Sequence, residues 1–303
     1  MTQSAFRSGF IALMGKPNAG KSTLINTLVG EKVSIVSHRP QTTRDKIVGI
    51  VNGEDYQAVF VDTPGIHQPK NALGNYMMKS VDAAYDGVDA VVYLLACDKA
   101  VDHHDTDTIT RLASNKKTPV IVAINKCDEV EQEAIVARIQ AIRDIPNVHA
   151  IVPISAKTGK NCSYLLEQLV ALLPSGQPYY DTDLYTDKSM RFLAAEIIRE
   201  KALRLLSDEV PYGIGVSVNR YTVRDDGIVD IDADVICEKQ AHKAIVIGKQ
   251  GAMIKRISTA ARIELEKLAD AKVFLTLYVR VKEDWRDSDL VLNELGYNIK
   301  KPN

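Results

Sequence analysis

A chain of 303 residues, 46% hydrophobic and 25% charged, has the composition of a soluble globular protein and the length of two ordinary domains. Its 38 basic side chains are matched by 39 acidic ones, so the chain as a whole has no electrostatic pull toward nucleic acid or an anionic membrane, and any basic surface must be local. Four cysteines without a CxxC pair exclude a disulfide scaffold and a zinc ribbon, no apolar run approaches the ~20 residues of a membrane span, and the first residues lack a signal-peptide core, so a cytoplasmic location is expected.

In chain order, the apolar run "FIALM" (10–14) predicts a strand, followed at once by "GKPNAGKS" (15–22) and the helix-patterned "TLINTLVG". The pattern G-x-x-x-x-G-K-[ST] between a strand and a helix is a phosphate loop. Gly15 and Gly20 let backbone N–H groups turn inward, Lys21 reaches the β and γ oxygens, and the Ser22 hydroxyl can ligate Mg²⁺. Gly15, Lys16, Pro17, Asn18, Ala19, Gly20, Lys21, Ser22 and Thr23 are therefore the expected phosphate site. "QTTRD" (41–45) precedes the strand "KIVGIV" (46–51), and one of its threonines must close over Mg²⁺; Thr43 is favoured over Thr42. The strand "AVFVD" (58–62) runs into "DTPG", where Asp62 can hold Mg²⁺ through water, the Gly65 N–H can sense a γ-phosphate, and Thr63 and Pro64 complete the loop. Both segments are the expected switches.

"AVVYLLA" (90–96) and "PVIVAIN" (119–125) predict two more strands. Between them, His103 and His104 beside Asp102 and Asp105 read as an exposed helix entry and not a metal site, since no third ligand stands at useful spacing. "NKCD" (125–128) decides the base. The Asp128 carboxylate can accept from both guanine N1–H and the N2 amino group, whereas adenine would face it with a lone pair. Asn125 is expected to tie this loop to the base and the phosphate loop, with the Lys126 stem over the base plane. "SAK" (Ser155, Ala156, Lys157) ends the strand "AIVPIS" and aims the Ala156 N–H at guanine O6. The helices "EQEAIVARIQAIR" (131–143) and "CSYLLEQLVALL" (162–173) complete a strand–helix alternation. Residues 1–175 are thus expected to form an α/β P-loop domain, a mostly parallel sheet with helices on both faces.

Residues 176–189 read as a linker, part of "PSGQPYYDTDLYTDKS", whose Tyr179, Tyr180 and Tyr185 suit a packing strap. The order then changes over 190–303: a helix (191–206), two alternating strands joined by "RDDG", a helix–Gly loop–helix (243–269), a strand (272–281) and a last helix near "DLVLNELG", an α+β domain. "VIGKQGAMIKRI" places G-x-x-G between an apolar helix end and a basic helix, the signature of a KH-type RNA-binding module. Ile247, Gly248, Lys249, Gln250, Gly251, Lys255 and Arg256 are the expected RNA contacts. Lys239 to Ile263 carries six basic residues and no acidic one. Ile245, Ile247 and Ile254 are expected in the core more than as a base-stacking platform.

The motif order, with "RPQTTRDKIVGI" and "VDTPGIH" and the KH half, resembles the Era family of bacterial GTPases over nearly the whole chain. The resemblance implies a GTPase with GTP and GDP as ligands and Mg²⁺ as cofactor. It also implies binding to the 3′ region of 16S ribosomal RNA and action as a monomer in 30S subunit maturation. A weak peripheral contact with the inner membrane is implied too, for which the residues show no anchor. Ile66 stands where Ras-like proteins carry a water-orienting glutamine, and by resemblance it is a family trait. Catalysis then falls to Lys21, Thr43, Gly65 and Asn18, the last by holding a potassium ion beside the β–γ bridge; the alternative for Asn18 is a loop-capping residue. Unassisted turnover is expected to be slow.

Overall fold

The aliphatic runs become strands because branched side chains fit a pleated, buried surface. The computed structural model describes residues 5–37, 39, 42–64, 69, 71–85 and 87–297. Its elements begin with β1 (Arg7–Gly15), α1 (Lys21–Val29), β2 (Ile47–Asn52), β3 (Tyr56–Asp62) and α2 (Ala72–Tyr85). They continue with β4 (Ala90–Ala96), α3 (His103–Ser114), β5 (Val120–Asn125), α4 (Gln132–Ile142), β6 (Val148–Pro153) and α5 (Cys162–Leu172). Then come α6 (Met190–Leu205), β7 (Gly215–Val223), β8 (Val229–Cys237), α7 (Gln240–Ile247), α8 (Ala252–Ala269), β9 (Val273–Val281) and α9 (Asp289–Glu294). Two compact units result, one of residues 1–34, 43–66 and 80–187, the other of residues 35–42, 67–79 and 188–303.

In the first unit the strand order is β2-β3-β1-β4-β5-β6. All neighbours are parallel except β2 and β3, which the connection from Asn52 to Tyr56 is too short to cross over, so they run antiparallel. β1 lies between β3 and β4, where the order of connection reverses, and ligands of open α/β sheets bind outside the carboxyl ends of strands at such a point. Ile11, Ala12 and Leu13 of β1 are fully buried, as a strand covered on both faces requires.

The aromatic linker packs on this same unit. Gln57, fully buried, accepts from the backbone N–H groups of Tyr179 (2.7 Å) and Tyr180 (3.0 Å) and donates to the Tyr180 carbonyl (2.9 Å). Ile50 of β2 donates its N–H to the Tyr185 carbonyl, Thr186 donates to the Val48 carbonyl, and the Tyr179 ring meets Phe10 edge-on at 4.7 Å.

In the second unit α6, α7 and α8 pack on the sheet β7-β8-β9, β7 antiparallel and β9 parallel to β8, around Ile197, Ile198, Ile231, Val235, Ile257 and Leu265. Leu73, Tyr76 and Met77 cluster there with Trp285, Leu292 and Tyr297. Residues 35–42 belong to this unit as well: Arg39 donates to the Leu203 and Leu206 carbonyls at the end of α6, groups that a helix terminus leaves without partners. Buried Arg199 donates to the Thr42 carbonyl at 2.5 Å while paired twice with Glu196. Among the described residues no helix is long and apolar enough to cross a membrane.

Because Gln57 alone satisfies three backbone groups of the strap, Gln57→Leu is expected to destabilise the protein by about 1–3 kcal/mol and to open residues 178–184 to chymotrypsin. Limited proteolysis followed by mass spectrometry checks this; a strap that stays uncut would assign its hold to the Phe10–Tyr179, Ile50–Tyr185 and Val48–Thr186 contacts.

Candidate functional site

The phosphate loop follows β1 directly. Gly15 has φ 144, and a Cβ there would lie 2.5 Å from the Leu94 carbonyl of β4. Gly20 has φ 102, and a Cβ there would lie 2.1 Å from the Asn125 side-chain amide. Between them Asn18 also takes the left-handed backbone, φ 65, as asparagine tolerates. α1 starts at Lys21 with no side-chain cap, so its first N–H groups and its positive dipole end face the loop, the arrangement that favours an anion. Lys21 is buried and donates to the Gly15 carbonyl at 3.0 Å and the Lys16 carbonyl at 3.5 Å. Burial pushes its ammonium pKa down, and the Asp62 charge opposes this.

Three hydroxyls converge on Asp62. Its Oδ2 accepts from Ser22 Oγ (2.9 Å), Ser34 Oγ (2.9 Å) and Thr43 Oγ1 (3.4 Å), while Ser22 and Thr43 are 3.0 Å apart. Burial pushes the Asp62 carboxyl up, against the Lys21 charge and these hydrogen bonds. Its other oxygen, Oδ1, is buried without a partner. A set of oxygens with one unpartnered buried carboxylate oxygen suits a hard divalent cation such as Mg²⁺. Thr43 is the threonine brought here; Thr42 instead donates its hydroxyl to the Arg39 carbonyl. Ser34, which no sequence motif marks, joins them because the chain after α1 folds back, with Asn26 holding the N–H groups of Val33 and Ser34. Thr63 donates to the Leu13 carbonyl, fixing the end of β3 beside β1, and Pro64 is buried next to it. Gly65, Ile66 and His67 lie outside the described residues.

Asn125, at the end of β5, joins two loops: it donates to the Ala19 carbonyl at 2.8 Å and accepts the Ala156 N–H at 2.9 Å. The Ala156 N–H expected for guanine O6 is thus directed to Asn125 in this structure. Thr27 of α1 donates to the Ala156 carbonyl. A hydrogen bond from Ser155 is the largest of the causes that lower the pKa of exposed Asp128. Lys126 pairs with Asp98 at 2.9 Å and Lys157 with Glu129 at 3.8 Å, both partly exposed. Lys16 turns its side chain to Asp102 and Asp105, and the pair of histidines beside them opens α3, which starts with an Asp102–Asp105 capping box. Among the described residues no group of three or more His, Cys, Asp or Glu side chains is placed to hold a metal.

In the second unit α7 ends at Gly248, φ 73, where a Cβ would lie 2.7 Å from the Met253 side chain. Gln250 and Gly251 are left-handed, φ 51 and 79, so the chain reverses into α8, whose first N–H groups lack a side-chain cap. Lys249, Gln250, Lys255 and Arg256 are exposed and Ile247 is half-buried. Ile254 packs against the core as expected, but Ile245 is 48% exposed: it sits one residue before Val246, which takes the buried face of α7.

A phosphate loop, a guanine-type specificity loop and a GxxG turn define a P-loop GTPase joined to a KH domain. The family described as 50S ribosome-binding GTPase matches residues 10–126, and the KH-domain family matches residues 209–286. GTPase Era of Clostridium kluyveri is 47% identical over 291 residues, 96% of this chain and 99% of that protein; GTPase Era of Clostridium perfringens is 48% identical over 296 residues, 98% and 100%. Two crystal structures, an Aquifex aeolicus Era variant bound to GDP and AlF4− and an Era complex with MgGDPNP and nucleotides 1506–1542 of 16S ribosomal RNA, each match with a TM-score of 0.91 at 36% identity, covering 96% of this chain and 99% of theirs. The chain belongs to the Era family of GTPases, and its activity is the hydrolysis of GTP.

Gly20→Ala drives a methyl into the Asn125 amide. The expected result is a loss of GDP affinity of about tenfold to a hundredfold, the equivalent of one or two buried hydrogen bonds, read by titration with a fluorescent nucleotide. Unchanged affinity would mean that Asn125 turns aside without loss.

Proposed function

We propose that this GTPase binds single-stranded RNA of the 16S 3′ region through its GxxG loop and acts, as a monomer in the cytoplasm, in maturation of the small ribosomal subunit. The observation that carries the reading is the GxxG turn between α7 and α8, where Lys249, Gln250, Lys255 and Arg256 are exposed. No acidic residue interrupts positions 239–263. Glycines there let a phosphate backbone approach, and a KH module clamps about four nucleotides. The complex of a 36% identical Era with a 16S fragment supports the choice of RNA.

In this reading the phosphates lie against the α1 N-terminus, Lys21 neutralises their charge, and Asp128, positioned by Ser155, accepts the guanine donors. Ser22, Thr43 and Asp62 would hold Mg²⁺, which would supply charge neutralisation to the phosphates. Thr43 and the Gly65 N–H are assigned to sensing the γ-phosphate, the contact on which the ordered form of both switch segments depends. Ile66 cannot orient the attacking water, so we assign the compensating electrostatic role to Asn18 together with a potassium ion.

Two outcomes test this. GTP hydrolysis is expected to run at least about fivefold faster in potassium chloride than in sodium chloride, in keeping with electrostatic stabilisation of the transferring group; equal rates would remove potassium. A single-stranded RNA copied from the 16S 3′ end is expected to bind with an affinity that falls as salt rises. Gly248→Asp, or Lys249→Asp without the glycine's backbone demand, is expected to abolish that binding in a filter assay. Binding unchanged in both variants would turn the second domain into a protein dock.

A further inference from the structure

The side chain of Lys16 lies inside the phosphate-loop sequence yet is directed away from the loop's own backbone. Its ammonium meets Asp102 Oδ2 at 2.5 Å and Asp105 Oδ2 at 2.8 Å. The Asp102 arm is 58% exposed and adds little, whereas Asp105 is nearly fully buried and needs its cation. Asp105 is itself held three ways. Its Oδ2 accepts the Asp102 N–H at 3.2 Å, its own N–H goes to Asp102 Oδ1 at 3.1 Å, and Tyr93 Oη donates to its Oδ1 at 3.0 Å. Tyr93 is a buried residue of β4, and β4 pairs with β1 at Met14↔Tyr93 and Gly15↔Leu94, directly below the loop.

The backbone of Lys16 closes the loop. Its carbonyl accepts the Ala19 N–H at 3.2 Å and lies 3.5 Å from Lys21 Nζ. One residue therefore carries the carbonyl on which the turn closes and an ammonium tied to the rigid start of α3. We propose that Lys16 is a positioning residue, and that the chain Tyr93–Asp105–Lys16 holds the phosphate loop in its anion-receiving form before nucleotide arrives. The physical ground is preorganisation: convergent N–H groups repel one another until an anion joins them, so a loop fixed beforehand loses less freedom on binding. Lys16 retains its proton across neutral pH, because burial lowers its pKa but the hydrogen bonds and charges of Asp102 and Asp105 more than restore it.

The inference rests on the nucleotide-site assignment above, and the test separates the two. GDP dissociation from the full chain is followed with a fluorescent analogue in Lys16→Met, Lys16→Arg, Asp105→Asn and the Lys16→Met/Asp105→Asn double variant, with Lys21→Ala as control. The tether predicts about tenfold faster release in Lys16→Met and in Asp105→Asn, no further increase in the double variant, and near-native release in Lys16→Arg. Tyr93→Phe, which removes one hydrogen bond and little volume, is expected to speed release about twofold to threefold and keeps the test open if Asp105→Asn does not fold. Release within twofold of the native chain in Lys16→Met overturns the tether. So does additivity in the double variant, which would mean that Lys16 touches the phosphates directly. GDP binding that survives Lys21→Ala would instead overturn the nucleotide-site assignment.

Discussion

Asp62 is a carboxylate with no exposed surface, and a charge so placed is tolerated only when its surroundings replace water. Here three hydroxyls on Oδ2 and the buried ammonium of Lys21 supply that replacement, while Oδ1 is left without a hydrogen-bond partner. Each hydroxyl arrives from a different stretch of chain: Ser22 from α1, Ser34 from the turn after it, Thr43 from just before β2. The strand end that bears Asp62 is fixed in turn by Thr63 on β1. Satisfying one buried charge therefore fixes the relative positions of β1, β3, α1 and the segment leading to β2, and with them the groups assigned to phosphate and cation.

A second buried polar group does the same on the other side of the loop. Asn125 joins Ala19 to Ala156, and Gly20 is glycine because the Asn125 amide fills the space of a side chain. The loops proposed for base and phosphate recognition are consequently tied to each other through Asn125, with Asp128 exposed and hydrogen-bonded by Ser155.

Much of this was legible in the sequence, because the motifs are local. A G-x-x-x-x-G-K-S run needs only its own strand and helix to have meaning, and so does a GxxG between two helices. The α/β architecture is legible in the alternation of strand and helix runs, and the KH architecture in the element order around its GxxG. What was not legible depends on partners far away in sequence. Lys16 is 86 residues from Asp102, and nothing in "GKPNAGKS" says that its ammonium belongs to α3. Ser34 carries no motif, and it meets Asp62 only because the chain after α1 folds back. Thr42 and Thr43 are chemically alike, so only their surroundings separate them: Thr42 is held by Arg39 and Arg199, Thr43 by Ser22 and Asp62. Ile245 stands in the continuous apolar run Ala244-Ile245-Val246-Ile247, where composition alone does not say which residue faces inward; Val246 takes that face and Ile245 is exposed.

The strap along β2 has a practical consequence for work on the isolated GTPase module. β2 ends the sheet, and an end strand presents unpaired N–H and C=O groups on which another copy can add. The stretch from Tyr179 to Thr186 covers part of that edge, through the Ile50–Tyr185 and Val48–Thr186 hydrogen bonds. A fragment cut at the last turn of α5 would retain every nucleotide motif and yet bare the edge, making it prone to self-association during expression. One carried through residue 187 would keep its own lining and is the better starting point for spectroscopy of the nucleotide cycle.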